Sequence, residues 1–455
     1  MKNPLPQVNS LASRERETVP AVYISELSLR NVRCFGPEEQ TIRLTDAAGR
    51  PASWTVILGE NGVGKTTLLQ CLVALEPARH YLTITPRNER PQVDLPTNGG
   101  GWNIYRDPEA PSNTEIRGRL SIADAQSSTK TGYSRKDISV PTSSDRGLAS
   151  PPYRGPYFRC CGYGATRRTG SPTLSERTLS DPTASLFSDY VNLVDAEEWL
   201  LVEDYARTRE ISEPQAELRL ERVKAILIDL LPDVSALRVA QRKSRPGERI
   251  RPAIEVLTPY GWVSLSDLSL GYRTMIAWTV DFASRLFELY PDSPNPLAEP
   301  AVVLVDEVDL HLHPKWQRQL RSHLTERFPR TQFVVTAHSP LVVQASENEN
   351  LVVLRREGDH VVIDNDVETV RGWRIDQVLT SDLFGLETAR PPEYDGVISR
   401  RNELLTRGGP LRGQDERDLE SLEARIVSLP AGENAEDQRA MDVIRRAAAK
   451  LQQRG

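Results

Sequence analysis

The 455-residue sequence predicts an α/β domain with a mixed sheet at its core, and three observations carry that prediction. Ala301 to Val305 and Thr331 to Thr336 are continuous, largely apolar runs, the pattern of parallel strands buried on both faces. Trp54 to Leu58 is a third such run, and it leads through a glycine-rich loop into Thr67-Leu68-Leu69-Gln70-Cys71-Leu72, the opening of a helix. Strand, loop and helix in that order form the unit from which parallel sheets are built.

The remaining elements follow in chain order. Tyr23 to Leu29 alternates apolar and polar residues and reads as an early strand, with Thr41 to Leu44 as its antiparallel return. Residues 84–155 are polar and rich in Pro, Ser, Thr, Asn and Gly. One strand crosses this otherwise loop-like insertion, because Ile116, Leu120 and Ile122 alternate with Arg117, Arg119 and Ser121. Residues 185–231 read as helical: Leu220, Val223, Leu227, Leu230 and Leu231 recur at helix spacing and Pro232 ends the run. Ile254 to Leu257 and Trp262 to Leu265 read as strands joined by a Pro-Tyr-Gly turn. An amphipathic helix is expected from Tyr272 to Tyr290, with Ile276, Val280 and Phe287 on one side. A helix from about Pro314 to Arg327 joins the two buried runs, and Leu351–Leu354 with Val361–Ile363 form a closing hairpin. From about residue 370 the chain is charged and helical, interrupted at Gly408-Gly409-Pro410 and Pro430-Ala431-Gly432.

Composition narrows the function classes. Apolar residues make up 38% and charged residues 26%, as in a soluble globular chain. No apolar run reaches about eighteen residues, so no membrane span is expected. Met1 to Val19 is polar and lacks an apolar core segment, so no signal peptide is expected. Cys34, Cys71, Cys160 and Cys161 lack metal-ligand spacing, and the adjacent pair suits a disulfide poorly, which points to the reducing cytoplasm. The net charge of −6 argues against a generally basic nucleic-acid binder, leaving room only for a local basic groove.

The chemistry concentrates in two places. Gly59-Glu60-Asn61-Gly62-Val63-Gly64-Lys65-Thr66 is the full G-x-x-x-x-G-K-[ST] phosphate loop. Its glycines let successive N–H groups turn inward, and the helix opened by Thr67 offers its positive end to the same anion. Lys65 is placed to reach the β- and γ-phosphates and the Thr66 hydroxyl to ligate Mg²⁺. Asp306 and Glu307 directly follow the 301–305 strand, at the end where α/β sheets bind ligands. Asp306 can hold Mg²⁺ through its water shell, and Glu307 can orient or deprotonate a water in line with the γ-phosphate.

Further motifs complete a family resemblance. Leu268-Ser269-Leu270-Gly271-Tyr272 resembles the ABC-ATPase signature, Asp309 stands at the D-loop position, and His338 in Thr336-Ala337-His338-Ser339-Pro340 resembles the switch histidine. Asn31-Val32-Arg33-Cys34-Phe35 resembles the Asn-Phe-Arg-x-Phe element of RecF/SMC-like ATPases. Asp306 to Pro314 resembles the acid-pair and Leu-His-Pro box of AAA family ATPases related to RecF and the OLD nucleases. Gly162 to Arg167 and Asp195 to Leu200 also look like stretches of that group, whose members often sit in anti-phage systems such as Septu.

The resemblance spans about residues 22–365 and implies an ABC-ATPase head, a P-loop NTPase with a helical lobe and a C-terminal helical extension. Its implied layout is an N-terminal tail (1–20), an N-terminal lobe with the phosphate loop (21–83), the polar insertion (84–155) and a helical lobe with connecting strands (156–260). A C-terminal lobe with signature, acids and histidine (261–365) and the helical extension (366–455) follow. It implies ATP and Mg²⁺ as cofactors, with Ser269 and Gly271 of one subunit covering the nucleotide held by the other. The chain would then be a homodimer through ATP-bound heads, regulating an effector such as a nuclease encoded nearby, with DNA a further partner and no membrane.

Departures from the family pattern matter too. No glutamine marks a Q-loop between Cys71 and Ser188, although Tyr163 to Arg168 stands near that place. No heptad array, second acidic nuclease cluster or His-Asn-His set is evident, so the chain itself is not expected to cut DNA. His311 and His313 are expected to pack or hydrogen-bond at the D-loop rather than hold zinc. Arg167-Arg168 and the Arg242 to Arg251 run are expected to be solvated surface, with phosphate or DNA-backbone contact as the alternative. Two rival functions remain: a scaffold or DNA clamp in which ATP is structural, and a transporter ATPase, which the missing glutamine and the Leu-His-Pro box disfavour.

Overall fold

A computed structural model describes residues 20–76, 104, 106, 114–123, 133–140, 158–169, 181–208, 214–242, 251–346, 349–367, 370, 372–386, 388–406 and 413–427. The N-terminal tail, most of the 84–155 insertion, the 243–250 basic segment and both glycine–proline interruptions of the tail lie outside them. The chain divides into a unit up to Ile375 and a second from Asp376.

The first unit opens with β1 (Val22–Arg30), which pairs antiparallel with β2 (Gln40–Arg43), Leu27 opposite Ile42. Next come β3 (Trp54–Gly59), buried along its length to Leu58, and α1 (Lys65–Ala74), buried on nearly every face. The alternating run in the insertion is β4 (Glu115–Ala123), followed by β5 (Tyr133–Ser139). These give an antiparallel sheet of order β2-β1-β4-β5. The expected single strand of this region has a partner because β5 is a polar edge strand in which only Ile138 is buried, too weak a pattern to read.

A short buried strand, β6 (Cys160–Tyr163), precedes the two-residue pair β7 (Arg168–Thr169) and β8 (Asn192–Leu193). The helices α2 (Ala196–Thr208) and α3 (Pro214–Leu230) follow, the latter burying Leu220, Val223, Leu227 and Leu230. A three-stranded antiparallel sheet then forms from β9 (Ala236–Arg242), β10 (Arg251–Thr258) and β11 (Gly261–Ser264), with β10 central. The expected β10–β11 hairpin is present, with Val256 opposite Val263.

The helix α4 (Leu270–Leu289) differs from the expected one-sided element, since it buries Asp281, Ser284 and Arg285 along with Ile276, Val280 and Phe287. Asp281 makes that possible. Its carboxylate accepts from Arg285 Nε at 2.6 Å, Tyr163 Oη at 2.9 Å and the Val194 amide at 3.1 Å, so charge enters the core already paired.

The last part of the unit carries β12 (Ala301–Val305), α5 (Pro314–Gln317), α6 (Leu320–Arg327), β13 (Thr331–Thr336), α7 (Pro340–Gln344), β14 (Asn350–Glu357) and β15 (His360–Asp364). The single helix expected from 314 to 327 is broken in two, with Gln319 at the N-cap position of the second piece but making no side-chain capping bond.

The central sheet has the order β15-β14-β3-β13-β12-β6. All neighbours are parallel except the β14–β15 hairpin. Phe333 on β13 packs against Trp54 on β3 at 5.4 Å and lies near Phe282 and Phe328, so sheet and α4 share one aromatic core. Truncating a buried Phe of this kind to Ala costs about 3–5 kcal/mol. Gln332 joins the two sheets by accepting from the Ile24 amide at 2.9 Å and donating to its carbonyl at 2.8 Å.

In the second unit, α9 (Asp395–Thr406) follows α8 (Ile375–Leu379), which straddles the division, and precedes α10 (Gln414–Val427). Arg400 meets Asp415 and Arg401 meets Glu423 across α9 and α10, so the charged, helical reading holds for these residues.

Candidate functional site

The β3–loop–α1 junction is built as the sequence reads. Gly64 has a φ of 88° and abuts the Cys34 thiol, where a Cβ would come within 2.3 Å of the sulfur. That position therefore needs glycine twice, for its backbone and for its neighbour. The Lys65 ammonium donates to the carbonyls of Gly59 and Glu60, both at 2.8 Å, which folds it over its own loop. Burial pulls its pKa down, and the nearby charges of Asp306, Glu307 and Asp309 oppose that pull.

The acid pair leaves β12 two strands away, yet the site closes on it. The Thr66 hydroxyl donates to Asp306 Oδ2 at 2.5 Å, and the Thr336 hydroxyl, at the end of β13, donates to Asp306 Oδ1 at 2.6 Å. The same Thr336 oxygen accepts from the Glu307 amide at 2.7 Å. Glu307 itself sits at a φ of 48°, a left-handed conformation uncommon for a residue with a side chain. The phosphate loop, the acid pair and the end of β13 thus form one hydrogen-bonded chain across three adjacent parallel strands.

The signature segment packs against the stretch that follows the D-loop acid. Gly271, at the start of α4, lies so near the His311 carbonyl that a Cβ there would stand 2.2 Å from its oxygen. Ser269 stands at the N-cap position of α4 without a side-chain capping bond and is exposed. Asp309 Oδ2 accepts from the His338 amide at 3.1 Å, and the Ser339 hydroxyl donates to Gln317 at 2.6 Å. Among the described residues, no hydrogen bond joins Ser269 or Gly271 to the phosphate loop of the same chain. His313 caps α5 by accepting from the Lys315 amide at 3.3 Å, in keeping with the hydrogen-bonding reading of that histidine.

The residues fit Mg-ATP. The Thr66 hydroxyl and Asp306 carboxylate are hard oxygen donors already in contact, and Mg²⁺ is commonly held by one or two such groups together with phosphate. Among the described residues, no group of three or more His, Cys, Asp or Glu could hold a metal by itself.

Sequence reasoning missed two residues and misplaced one of them. Thr336 was read as the end of a buried strand and the start of the switch-histidine stretch, with no role of its own. Arg167, expected on a solvated basic patch, is instead buried at 2% exposure, while its neighbour Arg168 is exposed. The Arg167 guanidinium donates to the carbonyls of Asp306 at 2.7 Å, of Gly164 at 3.1 Å and of Glu307. Burial pushes its pKa down to about 10, with Asp306, Asp309 and Glu307 resisting, so it stays charged at neutral pH. In the other basic run Arg242 is paired with Asp267 at 2.8 Å. Cys34, Cys71, Cys160 and Cys161 are thiols, with no disulfide between the adjacent pair. Among the described residues, no helix is long and apolar enough to cross a membrane.

Comparison with known proteins agrees with this architecture. Residues 186–344 match the family described as "AAA domain, putative AbiEii toxin, Type IV TA system", and residues 26–75 match a second family described as "AAA domain". A Septu protein PtuA of Bacillus mycoides is 24% identical over 89% of this chain and 50% of its own length. The protein named "Retron Ec83 probable ATPase" of Escherichia coli is 32% identical over 51% of this chain and 39% of its own. The chain thus spans half the length of the first relative and less of the second. The SMC head domain from Thermotoga maritima aligns with 76% of this chain and 99% of its own at 14% identity and a TM-score of 0.36, too loose a likeness to argue from. AAA family models thus match stretches on both halves of the phosphate-loop site, and the chain is similar to Septu and retron ATPase proteins.

Proposed function

We propose that the chain is a Mg-dependent ATPase switch whose heads dimerise over ATP and regulate a partner effector in anti-phage defence. The observation that carries the reading is the chain Thr66–Asp306–Thr336–Glu307, which links a phosphate loop to a carboxylate suited to general-base work. Mg-ATP supplies the transferable γ-phosphoryl group and the charge-neutralising cation. The chain's own residues do the rest. The loop amides and Lys65 bind the phosphates, while Thr66 and Asp306 orient the cation. Glu307 accepts a proton from the attacking water.

Asp309, two residues past the acid pair, accepts from the His338 amide, and Ser269 is exposed at the start of α4, where a second copy can reach it. Loss of a contact made across such an interface on hydrolysis lets the heads part, which makes the site a switch. The Septu and retron names of the relatives support the place in defence, and a nuclease is the effector that suits it.

Glu307→Gln tests the reading. It should keep ATP affinity, lose turnover and accumulate as an ATP-bound dimer by light scattering. Normal turnover in that variant would refute the assignment, and hours-long retention of intact ATP by the unaltered chain would favour a scaffold instead.

A further inference from the structure

We infer that Arg167 is a positioning residue for the hydrolysis proposed above, on which this inference rests: it holds the backbone of the acid pair so that the Glu307 carboxylate keeps its direction.

The sequence places two arginines side by side where the loop after β6 meets β7, and the fold treats them oppositely. Arg168 is exposed. Arg167 turns inward, at a φ of 34°, and spends its donors on backbone rather than on carboxylates. Nη2 reaches both the Asp306 and the Glu307 carbonyls, and Nε returns to Gly164, three residues back on its own loop. Nη1 is buried and has no hydrogen-bond partner among the described residues. The sheet does not need this side chain for its pairing, because β6 already meets β12 through Val305 opposite Tyr163 and through the Asp306 amide donating to the Tyr163 carbonyl at 2.8 Å.

What the guanidinium adds is a hold on Glu307. That residue adopts a left-handed backbone, which a side-chain-bearing residue keeps only when its surroundings fix it. Its amide is fixed by Thr336 and its carbonyl by Arg167, one on each side of the Cα. Removing either hold lets φ relax toward negative values and swings the carboxylate away from the attacking water. A planar fork can span two successive carbonyls and a third on its own loop, whereas a lysine ammonium on a flexible stem cannot hold all three in one plane. Arg167 does not touch the reacting atoms; it acts through Glu307.

The test uses the full chain with Mg-ATP, comparing Arg167→Lys, Arg167→Ala and Arg168→Ala. Turnover is followed by phosphate release, ATP affinity by calorimetry and folding by thermal melting. Arg167→Lys should melt near the unaltered chain, bind ATP within about threefold and lose about 100-fold in kcat, the cost of an ångström-scale misplacement. Arg167→Ala should lose at least as much, and Arg168→Ala nothing. A folded lysine variant with unaltered kcat overturns the inference, as does a loss of ATP affinity that matches the loss of kcat. Unfolding of both Arg167 variants would assign the side chain to stability alone and also overturn it. Failure of the wider reading looks different: an unaltered chain that neither binds nor hydrolyses ATP removes both proposals, whereas an active chain with an equally active lysine variant removes only the role of Arg167.

Discussion

The hydroxyl of Thr336 donates to Asp306 Oδ1 at 2.6 Å and accepts from the Glu307 amide at 2.7 Å, so one side chain at the end of β13 orients both members of the acid pair on β12. Asp306 therefore has both carboxylate oxygens engaged by threonines, one from each neighbouring element of the site.

Replacing Thr336 with Val keeps the shape and removes both hydrogen bonds. Turnover should fall about 10- to 100-fold while ATP affinity changes little, because positioning rather than phosphate contact is lost. Thr336→Ser should recover most of the rate. Steady-state kinetics beside calorimetry reads both quantities.

Lys65→Ala removes a largely buried ammonium that makes two charge-assisted hydrogen bonds to the loop. Redirected to the β- and γ-phosphates, such charged hydrogen bonds contribute about 1.5–3 kcal/mol each, so without the ammonium ATP binding should weaken by at least about 100-fold. Unchanged affinity by calorimetry would count against the phosphate loop.

The Asp281 cluster sets a stability prediction away from the site. Asp281→Ala leaves Arg285 charged and buried and strips partners from Tyr163 and the Val194 amide. Breaking a buried pair in this way costs about 3–5 kcal/mol, which denaturant unfolding should show. Asp281→Asn, which keeps an acceptor for the tyrosine, should cost less.

Thiol labelling probes the loop from beneath. Burial pushes the Cys161 thiol up to about 12 and Cys71 higher still, so neither should react in the native chain at neutral pH. Cys34 is only half-buried beside Val63, and its pKa is also raised, chiefly by burial. Since the thiolate is the reactive form, Cys34 should label slowly at pH 7 and faster as pH rises beyond the ordinary thiol range. Mass spectrometry of partly labelled protein would show Cys34 modified first, and Mg-ATP should slow that step by ordering the loop above it.

The phosphate loop and acid pair were legible because each is written in consecutive residues whose chemistry is local. The buried strands β3, β12 and β13 were legible for the same reason. Thr336 and Arg167 were not: the partners of Thr336 lie thirty residues away in Asp306, and those of Arg167 lie 139 residues away. Only the adjacency of β6, β12 and β13 brings them together. Arg167 misled because two neighbouring arginines in a polar stretch look solvated; nothing in spacing tells which one turns inward. The broken helix at 314–327 and the all-round burial of α4 went unread because both depend on what packs against them.

The position of β13 between β3 and β12 has one more consequence. Thr336 sits opposite Ile57, just before the glycine cradle, while Val335 beside it faces both Val56 and Val305. Successive side chains on a strand point to opposite faces. A single residue inserted between Thr331 and Val335 would leave the sheet able to form yet put the threonine hydroxyl on the wrong side. The length of that strand is thus a ruler that keeps the two halves of the proposed ATPase site in phase, and it tolerates no miscount.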